Sequence, residues 1–184
     1  MIYQVIDFAR EFIKDKNFDK VLDVGSRDVG IEGNLRNLFS VSNSVSPDSF
    51  GRCNEYIGFD LEDGKNVDVV GDAEKLLDFY PEETFDCVLC VETLEHVKNP
   101  ILIVENMKRV LKKDGWLFIT TPGIGHPEHN WPSDYYRYFE NTYKDVFFKD
   151  FKNVVTKTEI WDSPGIENPN TRYPHAILGY GQKP

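Results

Sequence analysis

A carboxylate and a glycine-containing turn occur in the first apolar run of this sequence. The stretch VLDVGSRDVG (21–30) has Asp23 inside the run and Gly25 and Gly30 in the turn. A dinucleotide-binding turn, G-x-G-x-x-G, lets a pyrophosphate approach bare backbone, but here Arg27 stands at the middle glycine position. A carboxylate in this place would repel a pyrophosphate and could balance an ammonium or sulfonium cation. The turn therefore favours a cationic ligand without phosphate.

Further acidic side chains end or follow the later apolar runs. Asp60 closes YIGFD (56–60), Asp72 lies in GDAEKL (71–76), and Glu92 follows FDCVLCV. Ligands of open α/β sheets bind outside the carboxyl ends of the strands, so we expect these carboxylates to surround one crevice. The two oxygens of Asp60 can accept hydrogen bonds from both hydroxyls of a ribose.

Short apolar or β-branched runs alternate with helical periodicity along the chain, which predicts a doubly wound α/β fold. The runs lack clean polar alternation, as is typical of strands that are covered on both faces. We expect a Rossmann-like, seven-stranded, mostly parallel sheet whose last strand is antiparallel. The predicted strands are 21–24, 56–60, 67–70, 85–91, 116–121, 154–161 and 175–181, with a polar loop at 40–49.

Three helices are predicted from apolar spacing and from end signals. The first ends near Lys16, the second begins after a cap at Asn99 and ends before Gly115, and the third is 133–147 with Ser133 as its cap. The residues that share the apolar face of the third helix, and should therefore be buried, are Tyr136, Phe139, Tyr143, Val146 and Phe147.

The composition limits the class of protein. The chain has 184 residues, 40% of them hydrophobic, which is enough for one domain with its own core. Its net charge of −10 argues against nucleic acid or an acidic membrane surface as a partner. Three cysteines are too few for a disulfide framework, and no apolar run has the length of a membrane span, so we expect a cytoplasmic protein. Cys87 and Cys90 would point to opposite faces of a strand and are interpreted as packing residues.

In their order and spacing these motifs resemble the class I S-adenosylmethionine-dependent methyltransferases, in particular the small type-11-like domains, over roughly residues 19–123. S-adenosylmethionine is cationic and has no phosphate, as the first turn requires. The resemblance implies that Asp60 binds the ribose and that Asp72 accepts from the adenine amino group. Arg27 departs from the glycine-rich turn of that family. The cofactor-binding residues predicted in this way are Asp23, Gly25, Ser26, Arg27, Asp60, Leu61, Asp72, Ala73, Val91 and Glu92.

The segment ETLEH places Glu92, Glu95 and His96 close together, because one helical turn brings such positions to the same side. It resembles the E-x-x-E-H of methyltransferases that bind a divalent ion, including small-RNA 2′-O-methyltransferases and the O-methyltransferases of quinone synthesis. Two carboxylates and an imidazole suit such an ion, and His126 or His129 would complete the site. The same letters also occur in members without metal, where Glu95 begins the helix and His96 packs under the cofactor. We assign no metal from the sequence and keep these three residues as candidates.

The segment after the predicted fifth strand carries the candidates for binding the methyl acceptor. His126 and His129 precede an aromatic stretch, and a histidine with a near-neutral pKa can remove the proton of a hydroxyl, so either is a candidate general base. Arg137 would bind an anionic group of the substrate or a structural carboxylate. Trp131 and Tyr135 are the remaining candidate substrate contacts.

The sequence therefore predicts an enzyme that transfers a methyl group from S-adenosylmethionine to a small molecule, with a hydroxyl as the favoured acceptor. A single domain (1–184) would consist of a cofactor-binding half (1–123) and a substrate-side half (124–184). The alternatives are an RNA methyltransferase with a divalent metal at ETLEH and a cofactor-binding module without turnover. An NAD-dependent oxidoreductase is disfavoured by the missing glycines. We expect a monomer or a homodimer, with no nucleic-acid or membrane partner.

Overall fold

Strands and helices alternate along the chain. The strands form one mixed sheet, and apolar residues pack on both of its faces. The computed structural model describes residues 2–28, 35–41, 50–129, 133–160 and 173–184. Gly30, Trp131 and most of the predicted polar loop lie outside the described residues.

The described residues contain strands, α-helices and shorter helical turns. The strands are β1 (Asn17–Val24), β2 (Phe39–Val41), β3 (Gly51–Asp60), β4 (Val69–Val70), β5 (Phe85–Val91), β6 (Leu111–Pro122), β7 (Lys152–Ile160) and β8 (Pro174–Gln182). The α-helices are α1 (Ile2–Ile13), α2 (Leu76–Phe79), α3 (Pro100–Val110) and α4 (Glu140–Thr142). The 3-10 turns are Leu35–Leu38, Ala73–Lys75 and Leu94–His96, and a π-helical turn spans Tyr143–Phe147.

The order of strands in the sheet is β2-β3-β1-β5-β6-β8-β7, and β4 lies beside β3. All described pairs are parallel except those of β8, which is antiparallel to both β6 and β7. The mostly parallel sheet with an antiparallel last strand is thus confirmed. Within the described residues the sheet has eight strands instead of seven, because the three-residue strand β2 was not predicted.

The sheet is buried on both faces, which explains why its strands read as continuous apolar runs. On one face Phe12 of α1 packs against Phe118, with 5.2 Å between the ring centroids. On the other face Met107 of α3 packs in the second apolar cluster. Cys87 and Cys90 are wholly buried in opposite clusters, and burial raises the pKa of both thiols, which confirms their interpretation as packing residues.

Two predicted helix ends are corrected by the structure. Helix α1 ends at Ile13, before its predicted end, because Asp15 has a φ of 61° and so leaves the right-handed helical region. Helix α3 ends at Val110, before the glycine that was expected to stop it. Leu111 already pairs with Phe85 in the sheet, so the backbone becomes extended at that point.

The predicted helix over 133–147 is wrong in its first half. Residues 133–139 are not helical, and α4 begins only at Glu140. The backbone N–H of Tyr135 donates to the carbonyl oxygen of Glu95 at 2.8 Å, and that of Tyr138 donates to Pro122 at 3.0 Å. The N–H of Tyr138 is therefore committed to a neighbouring segment and cannot form the i to i−4 bond of a helix.

The predicted apolar face of that segment is accordingly only partly buried. Tyr143 and Phe147 are wholly buried, as expected. Tyr136 and Phe139 are exposed, because the segment that precedes α4 follows a different path from a helix, and Val146 is exposed within the π-helical turn.

Within the described ranges, no helix has both the length and the apolar character that crossing a bilayer requires.

Candidate active site

The candidate residues meet at the carboxyl-terminal edge of the parallel strands. Val24 at the end of β1 pairs with Phe59 of β3 and with Cys90 of β5, and Val91 pairs with Thr120 of β6. The segments that leave these strands therefore start side by side. This is the edge at which open α/β sheets bind their ligands.

Gly25 makes the first turn possible. Its φ is +79°, and a Cβ added there would lie 2.0 Å from Thr93 Oγ1, so no other residue fits without displacing the neighbouring loop. The N–H groups of Gly25 and Ser26 donate to the carbonyl oxygen of Phe59 at 2.8 and 3.3 Å. The first turn is thereby fixed to the end of β3.

Asp60 connects the first turn to the loop that follows β3. Its Oδ2 accepts from the N–H of Arg27 and its Oδ1 from that of Glu62, both at 3.1 Å. The Arg27 guanidinium pairs with the Glu62 carboxylate at 2.6 Å, so it crosses to the second loop and leaves the turn itself. Leu61, between the two carboxylates, is 66% exposed.

Asp23 lies below the turn and not in open solvent. It is buried, and its Oδ2 accepts from the hydroxyl of Tyr56 at 2.8 Å. Burial raises the pKa of Asp23 to about 6, against the lowering effect of the Tyr56 hydrogen bond and of Arg36. Tyr56 begins the predicted strand 56–60, but no functional role was predicted for it.

Asp72 caps the 3-10 turn that contains Ala73. Its Oδ1 accepts from the N–H of Glu74 at 2.9 Å. The carbonyl oxygen of Ala73 accepts from the Asn106 side chain at 3.2 Å. The capping role does not exclude a ligand contact, because a carboxylate has further lone pairs.

Glu92 follows Val91, the partly exposed last residue of β5. The backbone of Glu92 has a φ of 47°, which is unusual for a glutamate. Its N–H donates to the Thr120 carbonyl oxygen at 3.0 Å, and its Oε1 accepts from the Thr120 hydroxyl at 2.9 Å. Burial, and next the negative charge of Glu95, raise the pKa of Glu92 to about 8. The opposite oxygen, Oε2, is buried without a hydrogen-bond partner.

Glu95, His96 and His129 form one cluster. Glu95 is 0% exposed, and its Oε1 lies 3.5 Å from Nε2 of His96 and 3.7 Å from Nε2 of His129. Both distances are longer than a hydrogen bond. One potential ligand atom from each of the three residues lies within 4.8 Å of the others, so these side chains could hold a metal ion.

Arg137 holds the segment that carries the histidines. Its guanidinium donates to both oxygens of Asp134, and its remaining N–H groups donate to the carbonyl oxygens of His126 (3.0 Å), Pro127 (2.8 Å) and Tyr136 (2.8 Å). All five guanidinium donors therefore have protein acceptors. Of the two predicted roles, this geometry agrees with the structural carboxylate.

Asp134 was missed by sequence analysis. Its Oδ2 accepts from the backbone N–H of His129 at 2.8 Å and lies 3.3 Å from Nδ1 of the same residue. Its ion pair with Arg137 lowers the pKa of the carboxyl group. The only available signal was the i, i+3 spacing of Asp134 and Arg137, which is common on surfaces.

His126 lies beside this cluster, with its ring centroid 4.9 Å from that of His129. Its Nδ1 is 2.9 Å from the carbonyl oxygen of Pro127, and burial lowers the pKa of the ring. Tyr135 is 48% exposed at the rim. Trp131 is outside the described residues, and its predicted contact stays a prediction.

The strand order, the antiparallel last strand and the carboxylates at the strand ends define the class I S-adenosylmethionine-dependent methyltransferases. The sequence model of the methyltransferase-domain family matches residues 1–157, and the chain belongs to this family as a class I methyltransferase.

Solved structures share the fold over nearly the whole chain. A S-adenosylmethionine-dependent methyltransferase from Archaeoglobus fulgidus superposes with a TM-score of 0.68 at 16% identity, covering 100% of this chain and 95% of the other. Phosphoethanolamine N-methyltransferase 2 of Haemonchus contortus, in complex with S-adenosylmethionine, gives a TM-score of 0.64 at 17% identity and covers 99% of this chain and 52% of that one.

Curated relatives match over shorter stretches. A ubiquinone biosynthesis O-methyltransferase of Glaesserella parasuis is 54% identical over 39 residues, which are 21% of this chain and 16% of the relative. The enzyme of the same name from Paraburkholderia xenovorans is 41% identical over 61 residues, 33% of this chain and 26% of the relative. These alignments span about a quarter or less of the relatives' lengths.

Proposed function

We propose that the chain transfers the methyl group of S-adenosylmethionine to a hydroxyl of a small-molecule acceptor, with His126 as the general base. The locally similar relatives are O-methyltransferases by name, which supports an oxygen acceptor. The net charge of −10 supports a small molecule over an RNA.

The contact between His126 Nδ1 and a backbone carbonyl oxygen is the observation that carries the proposal. Its Nδ1 lies 2.9 Å from the carbonyl oxygen of Pro127. A carbonyl oxygen can only accept, so Nδ1 carries the proton and Nε2 carries the lone pair. A neutral imidazole in this tautomer can accept a proton from a hydroxyl placed at Nε2. Arg137 supports the same arrangement, since it binds the carbonyl oxygens of both His126 and Pro127.

The proposed reaction is an in-line displacement at the methyl carbon. The acceptor oxygen forms a bond to this carbon while the bond from the carbon to the sulfonium sulfur breaks, and its electron pair passes to sulfur. The hydroxyl proton moves to Nε2 of His126. The products are a methyl ether, S-adenosylhomocysteine and an imidazolium that returns its proton to water. The protein contributes alignment of the three reacting atoms and exclusion of water.

We place the cofactor in the crevice between the first turn and the loop after β3. Each oxygen of Asp60 accepts one backbone N–H and keeps a lone pair for a ribose hydroxyl. Asp72 would accept from the adenine amino group. In this proposal residues 1–123 of a single domain hold the cofactor, and residues 124–184 supply the acceptor side.

Replacement of His126 tests the role of the base. We expect His126→Ala to lower kcat by roughly 10²- to 10⁴-fold, the usual contribution of a general base, with little change in the Kd for S-adenosylmethionine. The acceptor for this assay is the compound that takes up labelled methyl in a screen of pooled hydroxyl-bearing metabolites. Cofactor affinity is measured separately by calorimetry.

Glu128→Gln is the control, since Glu128 is exposed on the same loop. It should retain wild-type kcat. Equal turnover in His126→Ala and wild-type enzyme would remove His126 as the base, and uptake of the label only by amine or RNA fractions would contradict the hydroxyl acceptor.

A further inference from the structure

We propose that a cavity at the amino-terminal edge of the sheet binds a small aromatic carboxylate. The cavity has a volume of about 320 Å³, which is near the lower end of the range for small-molecule sites. It lies beside Asn17 and Phe18 at the start of β1, and beside Gly115 and Trp116 in the first half of β6. The site is therefore separate from the crevice at the carboxyl-terminal edge.

The two edges of the sheet are far apart. Strand β1 runs from Asn17, which lines the cavity, to Val24 at the cofactor edge. A strand of eight residues, with a rise of about 3.3 Å per residue, separates its two ends by about 23 Å. A small ligand in the cavity would contact no residue of the catalytic crevice, so this inference does not rest on the proposed function.

The ammonium group of Lys16 lines the cavity without an ionic partner. It donates to the carbonyl oxygen of Phe12, and it lies 4.9 Å from the centroid of the Phe12 ring and 5.0 Å from that of Trp116. Burial lowers the pKa of Lys16, and the more distant charge of Asp15 offsets this only in part. An ammonium group has three donors, so two remain for a ligand.

A second ammonium group, that of Lys113, lines the same cavity. The two carboxylates of the lining already have other cations: Asp86 pairs with Lys112 at 3.0 Å, and Asp114 pairs with Lys152. Among the residues that the structure describes, neither Lys113 nor Lys16 forms an ion pair with a carboxylate. Two unpaired positive charges at one cavity favour an anionic ligand.

Aromatic rings form the apolar part of the cavity. The Trp116 ring packs against those of Phe12 and Tyr180, with centroids 5.8 and 5.9 Å apart, so the indole is held in place. Phe18 is the second aromatic residue of the lining, and Asn17 adds an amide that can donate. A planar ring can pack on these side chains while its carboxylate accepts from the ammonium groups. The lining therefore favours an aromatic carboxylate over a neutral aromatic molecule or an aliphatic acid.

Calorimetry with 2-naphthoate tests the proposal. The protein is first saturated with S-adenosylhomocysteine, so that the cofactor crevice is filled. We expect saturable binding of one 2-naphthoate molecule per chain. The neutral analogue 2-naphthamide should bind about tenfold more weakly or less, because it loses the charge-assisted hydrogen bonds. Cyclohexanecarboxylate, which has the charge without an aromatic ring, should also bind more weakly.

Lysine variants identify the groups that bind the carboxylate. Lys16→Met should weaken 2-naphthoate binding about tenfold, and Lys113→Met about threefold, because the second group is more exposed to water. Lys14→Met is the matched control, since Lys14 is an exposed lysine of the same turn that does not line the cavity. It changes the net charge equally and should bind as wild type. The exposed position of Lys113 keeps the test valid if Lys16→Met, which loses the contact with Phe12, does not fold.

Nuclear magnetic resonance locates the bound molecule. Titration of isotope-labelled protein with 2-naphthoate should shift the backbone N–H signals of Asn17 and Gly115 and the indole N–H signal of Trp116. The signals of Gly25 and Leu61, at the opposite edge, should stay in place. Shifts confined to the cofactor crevice, equal affinity for 2-naphthamide, unchanged affinity in the lysine variants, or no saturable binding would each overturn the proposal. None of these outcomes bears on methyl transfer.

Discussion

Asp60 is positioned by backbone contacts that do not depend on a ligand. Its two oxygens accept from Arg27 and Glu62 on two different loops, so the carboxylate cannot rotate freely. A nucleoside that binds there meets acceptors that are already oriented. Binding therefore costs less side-chain entropy than it would at a mobile carboxylate. The proposed ribose contact should therefore contribute strongly to cofactor affinity.

Asp60→Ala should weaken S-adenosylmethionine binding at least tenfold. It removes charge-assisted hydrogen bonds worth about 1.5 to 3 kcal/mol and also releases two loop contacts. Calorimetry with the cofactor provides the measurement. Asp78→Ala, an exposed aspartate of α2, is the matched control, and an unchanged Kd in Asp60→Ala would rule out the ribose assignment.

At the scale of elements, the segment between β6 and α4 is held by side chains and not by a regular backbone ladder. Arg137 uses all five of its donors inside this segment, on Asp134 and on three carbonyl oxygens. Lysine has a single ammonium group and cannot reproduce this planar fork. The orientation of His126 and His129 therefore depends on one guanidinium.

Arg137→Lys should lower kcat more than it changes the KM for the acceptor, because the residue positions the histidines and has no donor left for substrate. Lost hydrogen bonds should also reduce the free energy of unfolding by about 1 to 3 kcal/mol. Steady-state kinetics and urea unfolding measure the two effects. A selective rise in KM, with kcat and stability retained, would instead favour an anionic substrate group at Arg137.

The sequence predicted elements well where burial on both faces leaves a continuous apolar run, as in β5 and the end of β1. It missed the first half of β3, where Arg52, Asn54 and Glu55 are exposed and polar, so nothing in the local pattern distinguishes them from a loop. It mistook 133–139 for a helix because the donors of Tyr135 and Tyr138 find acceptors on segments remote in sequence. Local spacing contains no information about such acceptors.

The candidate site, like the fold, could be predicted only where the position of a residue on a strand decides its surroundings. Acidic residues at the ends of parallel strands must come together, so Asp60 and Glu92 could be placed in one crevice. Tyr56 and Asp134 could not be assigned, because their roles are defined by contacts with Asp23 and His129 that exist only in the folded chain. The resemblance of ETLEH had grouped Glu95 and His96 with either His126 or His129, and the structure brings His129 to 3.7 Å from Glu95.

At the scale of the whole molecule, Asp23 links the stability of the fold to pH. Its pKa is raised by burial from the ordinary 3.8 to about 6. Between these two pH values the native state holds a proton that the unfolded chain has released, so the free energy of unfolding falls as the pH rises through this window. Above pH 6 the loss is complete.

Asp23→Asn should therefore be more stable than wild type at neutral pH. The difference in the free energy of unfolding should grow from pH 4 to pH 6 and reach about 3 kcal/mol, which is the free energy that corresponds to the rise in the pKa of Asp23. Urea unfolding at a series of pH values measures it, with the exposed Asp145→Asn as control. Parallel pH profiles for Asp23→Asn and wild type would show that the carboxylate is not destabilising.

Among the described residues, the cluster of Glu95, His96 and His129 is built from the stretch 92–96 and from the stretches 123–129 and 133–138, which are joined by bonds such as that from the Tyr135 N–H to the Glu95 carbonyl oxygen. A chimaera that imports one stretch from a homologue would break this junction and misplace its imidazoles. Exchange of acceptor preference between such enzymes should thus require all of these stretches to be grafted together, while the nucleoside-binding half of the recipient can be retained.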